Sequence, residues 1–142
     1  MNKVAVVFWS GTGNTEAMSE FVAKGVKEDG ADVVVYSAAE FDPETLDDYD
    51  AVAFGCPSMG AEELEESEFE PMFSSCKQNL TSKKIALFGS YGWGDGEWMR
   101  NWEETCKSLG AILVSESVIC NEAPDEDAKI ACIALGKALS SI

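Results

Sequence analysis

The segment Ser10-Gly11-Thr12-Gly13-Asn14-Thr15 gathers two glycines, three hydroxyls and one amide into six residues. It follows an apolar run and precedes a helical pattern, so its backbone N–H groups sit at a helix start, where anions bind. Glycine lets a phosphate approach the backbone closely. The hydroxyls of Ser10, Thr12 and Thr15 and the amide of Asn14 can donate further hydrogen bonds. Two familiar phosphate loops do not fit. The GxxxxGK[ST] loop needs a lysine, and this segment has none. The dinucleotide fingerprint needs a third glycine where Glu16 stands, and an acid for the ribose where the next strand ends in Tyr36-Ser37. The segment offers an uncharged cradle for one terminal phosphate.

Two further loops carry unusual residues. Cys56-Pro57-Ser58-Met59-Gly60-Ala61-Glu62-Glu63 follows one apolar run, and Ser90-Tyr91-Gly92-Trp93-Gly94-Asp95-Gly96-Glu97 follows the next. A tryptophan with glycine on both sides has little local packing, so Trp93 is suited to covering a flat ligand. Met59 supplies a soft, polarizable surface that contacts aromatic rings well. Together the three segments predict a planar ring between Met59 and Trp93, with its phosphate on the Ser10–Thr15 loop.

The elements that position these loops are legible from periodicity. Lys3 to Phe8, Val33 to Tyr36, Ala51 to Gly55, Lys84 to Gly89 and Ala111 to Ile119 are apolar, largely β-branched runs and are expected as strands. Ala17, Met18, Phe21, Val22, Gly25 and Val26 share a helical stripe that ends near Gly30. Helices are also expected within Glu62 to Cys76, over Glu97 to Leu109, and over Asp125 to Leu139. Alternating short strands and helices predict an α/β domain: a five-stranded, parallel, doubly wound sheet in the order 2-1-3-4-5. Ligands of such sheets sit beyond the carboxyl ends of the strands, beside strands 1 and 3, which is where the three loops fall. Residues 1–142 are expected to form one domain, since a chain of this length has room for a single ordinary core.

Composition narrows the chemistry. Histidine is absent, which removes Ser-His and Cys-His nucleophile pairs and His-ligated metals. The five cysteines, Cys56, Cys76, Cys106, Cys120 and Cys132, contain no close pair, so zinc-ribbon, iron–sulfur and CxxC motifs are excluded and buried reduced thiols are expected. No metal site and no catalytic residue is expected. A net charge of −16 opposes nucleic acid and anionic lipid, which are bound mainly through Lys and Arg. The apolar run at the N-terminus is too short for a signal peptide or a membrane span, so a cytoplasmic, monomeric protein is expected.

Taken together, WSGTGNTE at Trp9–Glu16, the Met59-Gly60 loop and FGSYGWGDGEWM at Phe88–Met99 resemble the flavodoxin family, and within it the short-chain members of anaerobic bacteria. The resemblance extends over the whole chain. It implies one noncovalently bound FMN and low-potential, one-electron transfer between redox enzymes through the semiquinone/hydroquinone couple. By the same resemblance the phosphate contacts fall on Ser10, Gly11, Thr12, Gly13, Asn14 and Thr15. The ring contacts fall on Pro57, Ser58, Met59, Gly60, Ala61 and Glu62, and on Ser90, Tyr91, Gly92, Trp93 and Gly94. Trp93 is implied to cover the outer ring face, Met59 the inner one, and Glu62 to meet the pyrimidine edge. The peptide after Gly60 is implied to turn its carbonyl to the flavin on reduction, so that a β-branched residue there would be penalised mostly in the reduced states. An FMN-dependent NAD(P)H:quinone or nitro-compound reductase is the alternative, and would need extra length for nicotinamide binding and dimer formation. A receiver domain of the same strand order lacks its acids here: its key strand ends read Trp9-Ser10 and Gly55-Cys56.

From Glu28 to Cys76 there are 15 of the chain's 26 acids and no Lys or Arg. Such a window makes an anionic reduced ring harder to form, because no cation compensates it. It also steers the basic docking faces of redox enzymes, in a salt-dependent way.

Overall fold

The computed structural model describes residues 2–60 and 62–141. Its strands are β1 (Lys3–Phe8), β2 (Asp32–Ser37), β3 (Ala51–Gly55), β4 (Lys84–Tyr91), β5 (Ile112–Leu113) and β6 (Val118–Asn121). Its helices are α1 (Asn14–Glu28), α2 (Phe69–Cys76), α3 (Glu97–Ser108) and α4 (Glu126–Ser140). All strand pairs of the sheet are parallel, in the order β2-β1-β3-β4-β5, with β6 also on β4. The doubly wound order predicted above is therefore present.

Side-chain alternation sends each strand's residues to two cores. Ala5, Val7, Val52, Phe54, Ile85 and Leu87 point to the side covered by α2 and α3, where Trp102 packs edge to face on the stacked Phe69 and Phe73. Val4, Val6, Ala51, Ala53, Ala86 and Phe88 point to the side covered by α1 and α4. Continuous apolar strands are what burial on both faces requires. The small Ala51, Ala53 and Ala86 let α1 and α4 close over their side. Those two helices touch through backbone: a Cβ on Gly25 would lie 2.0 Å from the Ile133 carbonyl oxygen, and one on Gly136 2.1 Å from that of Val22.

One element differs from the sequence reading, the fifth strand. The helix expected within Glu62–Cys76 is present as Phe69–Cys76. Residues before it are drawn into a tight turn, with reciprocal Met59 and Glu63 backbone bonds of 2.8 and 2.9 Å, and Glu62 takes a left-handed φ of 56°. The fifth strand is broken into β5 and β6 at residues 114–117. Both pieces pair with β4 in register with the expected position, so the order is kept while the strand is not continuous. No helix among the described residues is long and apolar enough to cross a membrane.

Candidate functional site

The loops after β1, β3 and β4 converge at the carboxyl edge of the sheet. Their backbones are stitched together: Trp9 N–H donates to Gly55 O at 3.0 Å, Cys56 N–H to Phe88 O at 3.1 Å, and Ser58 N–H to Ser90 O at 3.0 Å. Sheet pairing thus continues into the loops and holds them rigidly. Close approach is built in, since a Cβ on Gly89 would lie 2.2 Å from the Cys56 carbonyl oxygen. That same carbonyl accepts the Trp98 indole N–H at 3.1 Å.

Between the loops lies a cavity of about 220 Å³. It is lined by Trp9, Ser10, Gly11, Thr12, Asn14 and Thr15, by Pro57, Ser58 and Met59, by Ser90, Tyr91 and Gly92, and by Glu122. The first loop is shaped from within: the Ser10 hydroxyl oxygen accepts the Gly13 N–H at 3.0 Å. Gly13 caps α1 with φ 96°, a left-handed conformation that a side chain strains, and supplies no side-chain acceptor to the helix. The N–H groups of the first turn of a helix have no carbonyl behind them. Here they open toward the cavity beside the Thr15 hydroxyl, whose oxygen accepts the Ser90 N–H at 3.3 Å and whose proton stays available to donate. A group with an anionic end fits this donor set, and the cradle contains no Lys, Arg or His.

The remaining predicted residues lie around the mouth or beside it. Met59 is 37% exposed and Trp93 63% exposed, so both can lie against a planar ring without leaving a core. Gly60 and Gly94 belong to the same two loops and have φ 51° and 88°. The Gly60 conformation is left-handed, one that a β-branched side chain strains. Ala61 lies outside the described residues. Glu62 turns away from the cradle. Its carboxylate accepts the Glu97 N–H at 3.1 Å, at the start of α3, and lies against Gly94. It therefore ties the second loop to the third.

Two residues outside the expected contact set join the site. Trp9, read as the end of a strand, lines the cavity, and its ring lies where a Cβ on Gly11 would come within 3.0 Å. Its indole N–H donates to Glu68 at 3.0 Å. Glu122 sits at φ 59° after β6; its carbonyl accepts the Ser90 hydroxyl at 2.6 Å and its N–H donates to Tyr91 O at 2.9 Å. A non-glycine residue in this conformation is uncommon and is held only by such bonds.

Electrostatics around the loops are set by carboxylates with structural duties as well as by solvated ones. Glu65 is buried. Burial raises its carboxyl, but bonds from the Ser67 hydroxyl and from the N–H groups of Phe69, Glu68 and Ser67 outweigh this and bring it down to about 2. The one Arg close to the third loop, Arg100, is paired with Asp95 at 3.0 Å on the surface. Cys56 lies under the second loop, and burial pushes its thiol up to about 12, so it is inert. The other four thiols are also buried and unpaired.

Comparison with known proteins places this arrangement. A profile described as Flavodoxin matches residues 6–136. The chain is 46% identical over 137 residues to the flavodoxin of Clostridium beijerinckii, covering 96% of this chain and 99% of that one. It is 44% identical over 138 residues to the flavodoxin of Megasphaera elsdenii, covering 95% and 96%. The solution structure of two-electron reduced Megasphaera elsdenii flavodoxin superposes with a TM-score of 0.91 at 42% identity, covering 98% of this chain and 99% of that one.

Proposed function

The chain belongs to the flavodoxin family, and from that premise we propose a residue-level account of how it works. It is an electron-transfer protein that binds FMN and passes electrons at low potential between redox enzymes. FMN, when bound, supplies a ring that takes up and releases electrons one at a time. Every other part of the task falls to the chain.

The observation that carries the account is the open start of α1, set in a hydroxyl-lined cradle beside two exposed ring-sized surfaces. The N–H groups of the 10–15 loop and the hydroxyls of Ser10, Thr12 and Thr15 hold the phosphate, with the Asn14 amide beside them. Backbone donors serve this purpose without adding a cation, so the phosphate is held while the ring gains no positive neighbour. Met59 and Trp93 flank the ring. Pro57, Ser58, Gly60 and Ala61 on one side and Ser90, Tyr91, Gly92 and Gly94 on the other bring backbone groups to its edge. The Glu62 carboxylate, held against Gly94 of the third loop, adds a negative charge near the ring, which opposes a second negative charge on it and lowers the potential of the second electron. The rigid backbone stitching between loops limits the rearrangement that accompanies each electron.

The acidic window suits basic docking faces on the partner enzymes, and the charge of −16 opposes self-association, so the carrier works as a cytoplasmic monomer formed by a single domain. The deciding experiment is a titration of the apoprotein with FMN and with riboflavin in phosphate-free buffer, followed by quenching of flavin fluorescence. One FMN per chain with much weaker riboflavin binding is expected. Equal affinity for the two would remove the phosphate cradle from the account.

A further inference from the structure

Gly11, Thr12 and Gly13 of the 10–15 loop are exposed, and the bond from the Gly13 N–H to the Ser10 hydroxyl ties the loop only to itself. A loop that must present its N–H groups in one arrangement binds more tightly when its conformation is set beforehand. Trp9 supplies an outside support. The far edge of its ring, Cη2 and Cζ3, packs on Gly11 so closely that a Cβ there would lie at 3.0 and 3.2 Å. The ring is fixed at its other end, where the indole N–H donates to Glu68 Oε1 at 3.0 Å across 59 residues of chain. Glu68 is itself anchored. Its N–H donates to buried Glu65 at 2.7 Å, and the Glu65 N–H donates to the Cys56 sulfur at 3.3 Å, under the second loop. Although Glu68 stands at the start of α2, its side chain caps nothing on that helix. Its carboxylate serves Trp9 instead.

Resting on the FMN-carrier reading, we propose that Glu68 is a positioning residue for the phosphate loop: it latches the Trp9 indole, and the ring so held sets the conformation of Gly11 and the residues after it. Trp9 and Gly11 both line the cavity, so the latch acts at its wall. It favours FMN over riboflavin, because the loop it sets meets the phosphate. Its signature is a sign. A carboxylate one indole ring away from the loop repels a phosphate, so on charge alone its removal tightens FMN. Loss of the latch loosens FMN.

The test compares Glu68→Ala with Glu68→Gln by titrating each apoprotein with FMN and with riboflavin in phosphate-free buffer. The two variants remove the same charge, but only Gln keeps an acceptor for the indole N–H, so their ratio reads the bond alone. Glu68 is exposed, and either side chain fits there without disturbing the core. Glu68→Ala is expected to bind FMN about five-fold or more weakly than Glu68→Gln, and riboflavin within about two-fold of it. In a Trp9→Phe background, which keeps a ring but no N–H, the Ala-to-Gln ratio for FMN should fall to about one. Equal FMN affinity of the two variants, a riboflavin ratio as large as the FMN ratio, or an undiminished ratio in the Trp9→Phe background would each overturn the latch. Failure of the carrier reading shows itself differently, as a wild-type protein that takes up no FMN.

Discussion

The four helix starts of this protein fall into two groups. Those of α2, α3 and α4 are each closed by a carboxylate of the chain: Glu65 accepts from Glu68 and Phe69, Glu62 from Glu97, and Asp125 from Ala128. The start of α1 is capped by Gly13 without a side-chain acceptor, although the chain has 26 acids to spend. Negative charge is favourable at a helix N-terminus. Among the described residues, the open start is thus the exception, and it is the one at the proposed phosphate cradle. The contrast teaches that the anion missing from α1 is one the protein does not supply itself. In an acidic protein, leaving one start vacant selects for a phosphate without any cation.

Closing the open start should have the largest effect. Ser10→Asp can keep the bond from the Gly13 N–H while placing a carboxylate where the phosphate belongs. We expect FMN affinity to fall by about 2–4 kcal/mol, roughly 30- to 700-fold, with riboflavin affinity nearly unchanged and the apoprotein slightly more heat-stable. Parallel FMN and riboflavin titrations separate the two, and an equal loss for both would break the comparison.

Opening a closed start should come next. Glu65→Gln keeps part of the hydrogen bonding at α2 but loses the charge, and should cost roughly 2–3 kcal/mol of apoprotein stability in urea unfolding at pH 7. The sign of the pH dependence follows from the lowered carboxyl. Its stabilisation is complete above the unfolded value of about 4.3 and fades as pH falls toward about 2. The gap between wild type and variant should therefore shrink steadily below roughly pH 4.5. A gap that stays constant down to pH 2 would show that Glu65 acts through packing alone.

Within the open start, Thr15→Ala should weaken FMN by roughly 1–3 kcal/mol, since it removes a donor to the phosphate and the acceptor of the Ser90 N–H. Comparison with Thr15→Ser, which retains the hydroxyl, isolates the hydrogen bond. The smallest effect is expected at α3. Glu62→Gln still accepts the Glu97 N–H, so stability should change by less than about 1 kcal/mol. The second reduction potential should nonetheless rise, and less so in added salt. A spectroelectrochemical titration that finds it unmoved would reduce Glu62 to a helix cap.

Much of this was legible in the sequence, and the exceptions have a common cause. Strands buried on both faces are written as uninterrupted apolar runs, so β1 and β3 match their predicted limits at both ends. The Gly-rich loops announced themselves by residue type. Long-range bonds did not. Glu62-Glu63-Leu64-Glu65 has good helix formers, yet the Met59–Glu63 bridge, the Cys56 sulfur accepting the Glu65 N–H and the Glu65 cap together delay the helix to Phe69. Glu65 itself reads as one more solvated acid until its three backbone donors are seen around it. Trp9 and Glu122 belong to the site through contacts with Gly11 and Ser90 that no local pattern encodes. For Trp9 a faint signal existed, a large ring directly beside the glycine loop.

The backbone contacts of α1 with α4, Gly25 against Ile133 and Gly136 against Val22, carry a consequence for the order of folding. The 10–15 loop leads into the first turn of α1, and α1 is buried chiefly by α4, a helix that begins only at Glu126. Contacts so distant in sequence form late and slowly, because the intervening loop must close first. A nascent chain that has made all three loops but not α4 therefore has the right residues and no firm platform for them. Loosening α4 is therefore expected to weaken FMN retention along with stability, although α4 lines no part of the cavity.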